Sequence, residues 1–171
     1  MLLHRLANGQ QVWIRPIQPD DACGLQQGLR HLSAETIQRR FLGAKPRFSA
    51  SELRLLTEVD GVDHIALVAI SVLTGRLVAV ARCVRLPEDP GTAEWAIVVA
   101  DPLQRLGLGT ALIRALAEAA RVHGIHRFRG TVAGENRAVL RLLHHVSDQF
   151  DSGPISRGVR DVLVELEPVA A

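Results

Sequence analysis

Residues 92–109 read TAEWAIVVADPLQRLGLG. The apolar run predicts a strand over 92–100, and Pro102, Gly107 and Gly109 punctuate the loop that follows. A helix is then expected from Leu108 to His123, stopped by Gly124. This strand–loop–helix unit puts glycines at the mouth of a helix. The first-turn N–H groups there have no partner inside the helix. They also lie at the positive end of its dipole, about half a unit charge. Outward-facing amides near Gly107, Leu108, Gly109 and Thr110 therefore suit phosphate oxygens. Glycine matters because a Cβ would hold a phosphate away from the backbone. A tight turn with nothing bound has the same sequence pattern, so two readings stand at this point.

Upstream, Asn8-Gly9 signals a hairpin leading into a strand over 11–17, with Val12 and Ile14 on one face. Pro19-Asp20-Asp21 reads as a helix start, Ser33-Ala34-Glu35 opens a short helix to about Phe41, and 49–58 makes a third. The period then changes. Residues 64–73 and 76–86 are β-rich runs joined across Thr74-Gly75, and 87–91 reads as a loop. Downstream of the decisive stretch, Arg114, Glu118 and Arg121 mark one wet stripe on an otherwise apolar helix. A strand is expected over 127–133 and a helix over 135–146, where Val139, Leu142, Leu143 and Val146 recur at helical spacing. A last strand is expected over 158–167. The order gives an α/β (α+β) fold with a mixed sheet.

Composition narrows the function classes. The 171 residues fit about one domain, read as a single domain over 1–171. With 47% hydrophobic and 22% charged residues, the chain is neither disordered nor repetitive. Cys23 and Cys83 are too few for a disulfide framework or a Cys-rich zinc cluster. The longest uncharged apolar run, 65–73, is about half a membrane span, and the N-terminus lacks a signal-peptide core. A cytoplasmic protein with no membrane partner is expected. The 20 basic and 18 acidic residues are spread along the chain, so no nucleic-acid arm is present. Lys45 is the only lysine among the basic residues. GC-rich codon usage explains that bias, as does a need for planar forks on phosphate groups.

Two phosphate-binding patterns fail. No G-x-x-x-x-G-K-[ST] string occurs. A dinucleotide fingerprint needs Gly or Ala where Leu112 stands, and an acid near Arg127 and Phe128. By contrast, Gln104-Arg105-Leu106-Gly107-Leu108-Gly109 resembles the Q/R-x-x-G-x-G/A pyrophosphate motif of the GNAT superfamily of N-acetyltransferases. Gly134-Glu135-Asn136-Arg137-Ala138 resembles the E-N-x-x-A start of that family's next helix. Ile14-Arg15-Pro16-Ile17 and Pro19-Asp20-Asp21-Ala22 resemble its first strand and helix. The resemblance spans nearly the whole chain. Ser33, Glu35, Arg39-Arg40-Phe41, Glu52-Leu53 and Thr92-Ala93-Glu94 are similar to the catalytic domain of bacterial protein-lysine acetyltransferases, some of which carry a nucleotide-binding domain ahead of it.

The resemblance implies a mostly antiparallel twisted sheet with helices on both faces, and a splay between the central strands 92–100 and 127–133. The splay would free backbone groups of Ile97, Val98 and Val99 for the pantetheine arm of acetyl-CoA, the co-substrate. The motif carrying Gln104 would set the pyrophosphate on the amides of Arg105, Leu106, Gly107, Leu108, Gly109 and Thr110. Asn136 would contact the pantetheine or adenosine side, and Arg105 and Arg137 the phosphates. Glu94 would be the general base, acting through water, and an N–H near Val99 would stabilise the oxyanion. Glu94 also fits a wet strand face or an arginine's partner. The partner implied is a primary amine acceptor, foremost a protein lysine. The alternatives are a small-molecule amine, an amino acid, or a non-catalytic acyl-CoA-binding module. No metal is expected, and a homodimer stays open. One departure is plain. Many family members protonate the thiolate with a tyrosine seven residues after the helix asparagine. Here that position is Leu143, and the chain has no tyrosine. His144 and His145 are the substitutes in sequence, though neighbouring histidines at a helix end also read as solvated.

Overall fold

The computed structural model describes residues 1–166. In chain order its elements are β1 (Leu2–Arg5), β2 (Gln11–Pro16), α1 (Ala22–Arg30), α2 (Ala34–Phe41), α3 (Ala50–Thr57), β3 (His64–Ser71), β4 (Leu77–Leu86), β5 (Asp89–Val99), α4 (Leu108–Val122), β6 (Arg127–Ala133), α5 (Arg137–Leu143), β7 (Phe150–Ser152) and β8 (Val159–Glu165). Short 3-10 turns precede α1 and follow β5. The strands form one sheet in the order β1-β2-β3-β4-β5-β6-β8-β7. Every neighbouring pair is antiparallel except β5 and β6, which run parallel.

The helices start where the caps stand. The hydroxyl of Ser33 accepts from Thr36 N at 3.2 Å, and Ser49 with Glu52 forms a reciprocal capping box on α3. Gly124, at φ +76, ends α4 in a conformation a Cβ would oppose. The sheet has an apolar layer on each face. On one, Leu112, Ile113 and Leu116 of α4 and Leu143 of α5 are fully buried with Phe128 and Val164. On the other, Leu25 of α1 and Leu53 and Leu56 of α3 cover Ala66 and Val68 of β3 and Val80 of β4. Each such side chain contributes about 1.5–3 kcal/mol of transfer free energy, which fixes α4 to one face and α1 and α3 to the other. The expected fold class and the helices on both faces are borne out.

Several element ends differ from expectation by one or two residues, and four differences have a physical reason. The loop read at 87–91 is shorter: β5 begins at Asp89, which pairs with Leu86 past a bulge, and Pro90 sits beside that irregularity. The helix expected over 135–146 contracts to α5, because Asn136 caps it by accepting from Val139 N at 3.2 Å. β7 was not foreseen; three residues are too short to show a period. The last strand ends at Glu165, and Glu167, within its expected span, lies outside the described residues.

The feature that matters most is the β5–β6 seam. The two strands pair only over Thr92–Glu94 against Arg127–Arg129, and then part. Beyond Glu94, β5 keeps β4 on one side, with pairs through Val99, and has no strand on the other. Trp95 and Gly130 stand where the strands diverge. The indole lies so close to Gly130 that an added Cβ there would be 2.9 Å from Trp95 Nε1. A bulky ring on one strand facing a residue without a side chain on the next marks the apex of the splay.

Candidate functional site

The splay opens into a cavity of about 590 Å³ between β5 and β6, bounded by α2, the β5–α4 loop and α5. Ile97, Val98 and Val99 all line it. Strand alternation divides the three. Ala100 N donates to Val78 O at 2.8 Å, so the peptide groups of Ala100 and Val98 turn toward β4. Those of Ile97 and Val99 turn toward the gap. Of these, Val99 O already accepts from Gln104 Nε2 at 3.0 Å. Gln104 also reaches Thr36 Oγ1 at 3.1 Å, so its side chain ties the loop together.

At the mouth of the gap the loop takes two left-handed steps, Arg105 at φ +59 and Gly107 at φ +90. Gly107 caps α4, and no side chain makes a capping hydrogen bond there. The first bond at this end of α4 runs from Ala111 N to Gly107 O at 3.0 Å. The amides of Leu108, Gly109 and Thr110 therefore precede the ladder and have no helical partner. Arg105, Gly107, Gly109 and Thr110 line the cavity. Leu106 and Leu108 are anchors instead: Leu106 O accepts from Ala7 N at 3.1 Å, and the Leu108 side chain is fully buried. A Cβ on Gly109 would meet nothing of the protein closer than Leu142 Cδ1 at 3.5 Å, an ordinary contact.

At the far end Glu94 lines the wall and is exposed to solvent. Side chains that sequence reasoning had not assigned to the site join it there: Thr36, Arg39, Arg40 and Phe41 from α2, Trp95 from β5, and Thr131 and Val132 from β6. α5 contributes Arg141 and Leu142, and the residues flanking it contribute Asn136 and His145, whereas Arg137 does not line the cavity. Arg141 lies one helical turn after Arg137, a spacing that would have flagged it. Asn136 spends its carboxamide oxygen on capping α5 and keeps its amide nitrogen as a donor. Leu143 is fully buried in the core and does not line the cavity. His144 packs edge-on against Phe150, with centroids 4.4 Å apart, and only His145 lines the cavity.

The two ends are joined through Asp101. Its Oδ1 accepts from Ser33 Oγ at 2.7 Å and Thr36 Oγ1 at 2.6 Å, and its Oδ2 accepts from Ser33 N at 2.9 Å. Burial pushes this carboxyl up, but the Thr36 and Ser33 hydrogen bonds outweigh it and hold the group below its ordinary value. Cys83, on β4 below the site, is fully buried, and burial pushes its thiol up to about 12. It is a small core residue rather than a nucleophile.

The acetyltransferase (GNAT) family model matches residues 34–146, the stretch that carries α2, the parted seam, the β5–α4 loop and α5, so the chain belongs to that family. It is 32% identical over 139 residues to Acetyltransferase Pat of Mycolicibacterium smegmatis, covering 81% of this chain and 41% of that protein's length. It is 33% identical over 136 residues to Acetyltransferase PA5475 of Pseudomonas aeruginosa, covering 78% of this chain and 73% of that one. Among solved structures, the GNAT domain of S. lividans PAT superposes with a TM-score of 0.84 at 28% identity, covering 96% of both chains. Among the described residues, no helix is long and apolar enough to cross a membrane.

Proposed function

We propose that the chain moves an acetyl group from acetyl-CoA directly to a primary amine, foremost a protein lysine. The observation that carries this is the pairing of the uncapped α4 amides with Glu94 at opposite ends of one gap. Along β5 the five-residue separation of Glu94 and Val99 is roughly 16 Å, a reach that an extended pantetheine arm covers. The amides from Arg105 to Thr110 would hold the diphosphate, with Arg105 and Arg141 placed for the remaining phosphate charge. The free N–H groups of Ile97 and Val99 would pair with the pantetheine amides. The amide nitrogen of Asn136 offers a further donor. Trp95 closes the apex, which favours a short acyl group.

Acetyl-CoA supplies a thioester carbonyl carbon as the electrophile. The amine nitrogen forms a bond to it as the carbon–sulfur bond breaks and the electron pair leaves on sulfur. A lysine of pKa about 10.4 must first lose a proton, which near pH 7 costs roughly 4–5 kcal/mol. Glu94 would take that proton through water, and a gap-facing N–H of β5 would steady the oxyanion. The thiolate is a good leaving group and takes its proton from solvent or from His145, the one histidine on the cavity wall.

Glu94→Gln tests the assignment. Its kcat/KM, read as thiol release with an amine acceptor, should fall about 10²–10⁴-fold while acetyl-CoA affinity by calorimetry stays unchanged. Unaltered turnover removes Glu94 from the mechanism. Tight acetyl-CoA binding by the unsubstituted protein, with no thiol release across a broad amine panel, would leave a binding module in place of an enzyme.

A further inference from the structure

The acceptor end of the cavity carries a charge imbalance that amide-bond formation alone does not explain. Among the described residues Glu94 is the only carboxylate on the wall, which Arg39 and Arg40 also line. Arg39 is paired with Glu35, one turn earlier on α2. Arg40 has no ion pair within hydrogen-bonding range among the described residues. Its guanidinium lies over the Phe41 ring, 4.9 Å from the centroid, and Glu94 is the one charge that favours its protonated form against burial.

A second cation lies behind it. Arg82, on β4 opposite Ala96, shares a sheet face with Glu94 and is only 7% exposed. Its Nη1 donates to Leu56 O at 3.1 Å and meets His64 Nε2 at 3.2 Å. Neither partner is an anion, whereas a buried arginine ordinarily meets a carboxylate. Burial and the nearby Arg40 push Arg82 down to about 10, and burial and Arg82 in turn hold His64 below its ordinary value. One guanidinium thus stands with the only carboxylate of the described wall, and a second lies buried behind it with no anionic partner in hydrogen-bonding range.

This wall acts on an incoming amine in two opposed ways. Positive surroundings lower the amine's pKa and so enrich the neutral nucleophile. They also repel the ammonium form that predominates in solution. An acceptor that brings its own carboxylate removes the repulsion, because a guanidinium fork holds a carboxylate through two parallel hydrogen bonds. We propose that Arg40, backed by Arg82, selects amine acceptors that carry a carboxylate close to the reactive nitrogen. Two sources share that chemistry: a protein lysine with an acidic neighbour, and a free amino acid. The inference rests on the proposed function, since it takes Glu94 to mark the amine's end of the cavity.

The test compares kcat/KM, by thiol release confirmed by intact mass, for peptides whose single lysine is flanked by Glu, Gln or Arg. A parallel arm compares free amino acids with their carboxamides. The carboxylate-bearing member should win by roughly ten- to hundredfold, the range for a hydrogen bond to a charged group. A preference confined to the peptide arm identifies protein substrates, and one confined to the other arm identifies amino acids. Arg40→Gln should erase the preference and Arg40→Glu should turn it toward the Arg-flanked peptide. A loss of folding or of acetyl-CoA binding cannot produce that reversal. Equal rates for Glu- and Gln-flanked peptides and for acids and amides, in a protein that does acetylate them, overturn the inference and leave the transferase standing. No thiol release with any amine overturns both.

Discussion

At the α4 end of the cavity the groups on offer are main-chain: the amides of Leu108, Gly109 and Thr110, and the gap-facing N–H groups of Ile97 and Val99. At the α2 end they are side chains gathered from separate elements: Arg40 from α2 and Glu94 from β5 on the wall, with Arg82 of β4 buried behind them. The first set is fixed by backbone conformation and tolerates change in most side chains around it. The second depends on three elements meeting, and each member can be replaced without altering the fold's plan. A backbone cradle suits a cofactor that never varies. A side-chain wall suits an acceptor, because its selectivity can change one residue at a time. Trp95 separates the two, standing at the apex where β5 and β6 part.

Among the variants that probe this division, the largest effect is expected at that boundary. In a closed pocket one methylene changes discrimination by about 10–200-fold. Trp95 lines the cavity and is 6% exposed, so Trp95→Ala should open the apex to longer acyl chains. The ratio of kcat/KM for butyryl-CoA over acetyl-CoA should rise by one to two orders of magnitude, and Trp95→Phe should fall between. Because both numbers in the ratio come from the same folded fraction, lost stability does not move it. A ratio that stays where it was would mean the acyl group ends elsewhere, and the apex would no longer divide donor from acceptor.

The same contrast explains what could be read from the sequence. The cradle was legible because glycine spacing after an apolar strand is a local signal, and the residues 104–110 that carry it are contiguous. So were the helix starts at Ser33 and Ser49, where one hydroxyl decides the boundary. The acceptor wall was not legible. Arg82 is one arginine in a β-rich run, and nothing local says that the neighbours packed around it, Leu56 and His64, bring it no carboxylate. Gln104 looked like a ligand-facing residue from its place in a motif, yet its amide is committed to Val99 O and Thr36. That commitment links positions far apart in the chain. Val98 was grouped with its neighbours because the phase of a strand relative to its partner appears only once the register is known.

A smaller effect should separate two glycines of the cradle. Gly107, at φ +90, has nothing within 4 Å of where a Cβ would stand, so its constraint is conformational. Gly107→Ala should cost about 1–2 kcal/mol for a left-handed residue, and as the loop relaxes the acetyl-CoA Kd should rise by about tenfold. Gly109 has no positive φ, and its Cβ would make only an ordinary contact with Leu142. Gly109→Ala should therefore leave the melting temperature unchanged while still weakening acetyl-CoA, because the added methyl stands in the cavity wall. Neither change should alter the preference among acceptors. If Gly109→Ala binds acetyl-CoA as tightly as the unsubstituted protein, no ligand approaches that backbone closely and the cradle is only a turn.

The smallest effect should appear at Asp101, which belongs to both ends. It joins the β5–α4 loop to Ser33 and Thr36 at the start of α2, the helix that carries Arg40. Its folded-state pKa lies below the ordinary 3.8, through hydrogen bonds that outweigh desolvation. A depressed carboxyl contributes stability above its unfolded value and loses it as the pH falls through the folded one. The contribution should thus be intact at neutral pH and fade below about pH 4. Asp101→Asn keeps one acceptor oxygen and places an amide nitrogen against a donor, at a cost of about 1 kcal/mol, or roughly 2–4 °C in Tm at neutral pH. The gap between the two proteins should narrow in acid. Since α2 alone is loosened, KM for the amine should rise more than KM for acetyl-CoA. An equal rise in both would show that the loop had moved with the helix, so that the cradle and the wall form one rigid unit and not two.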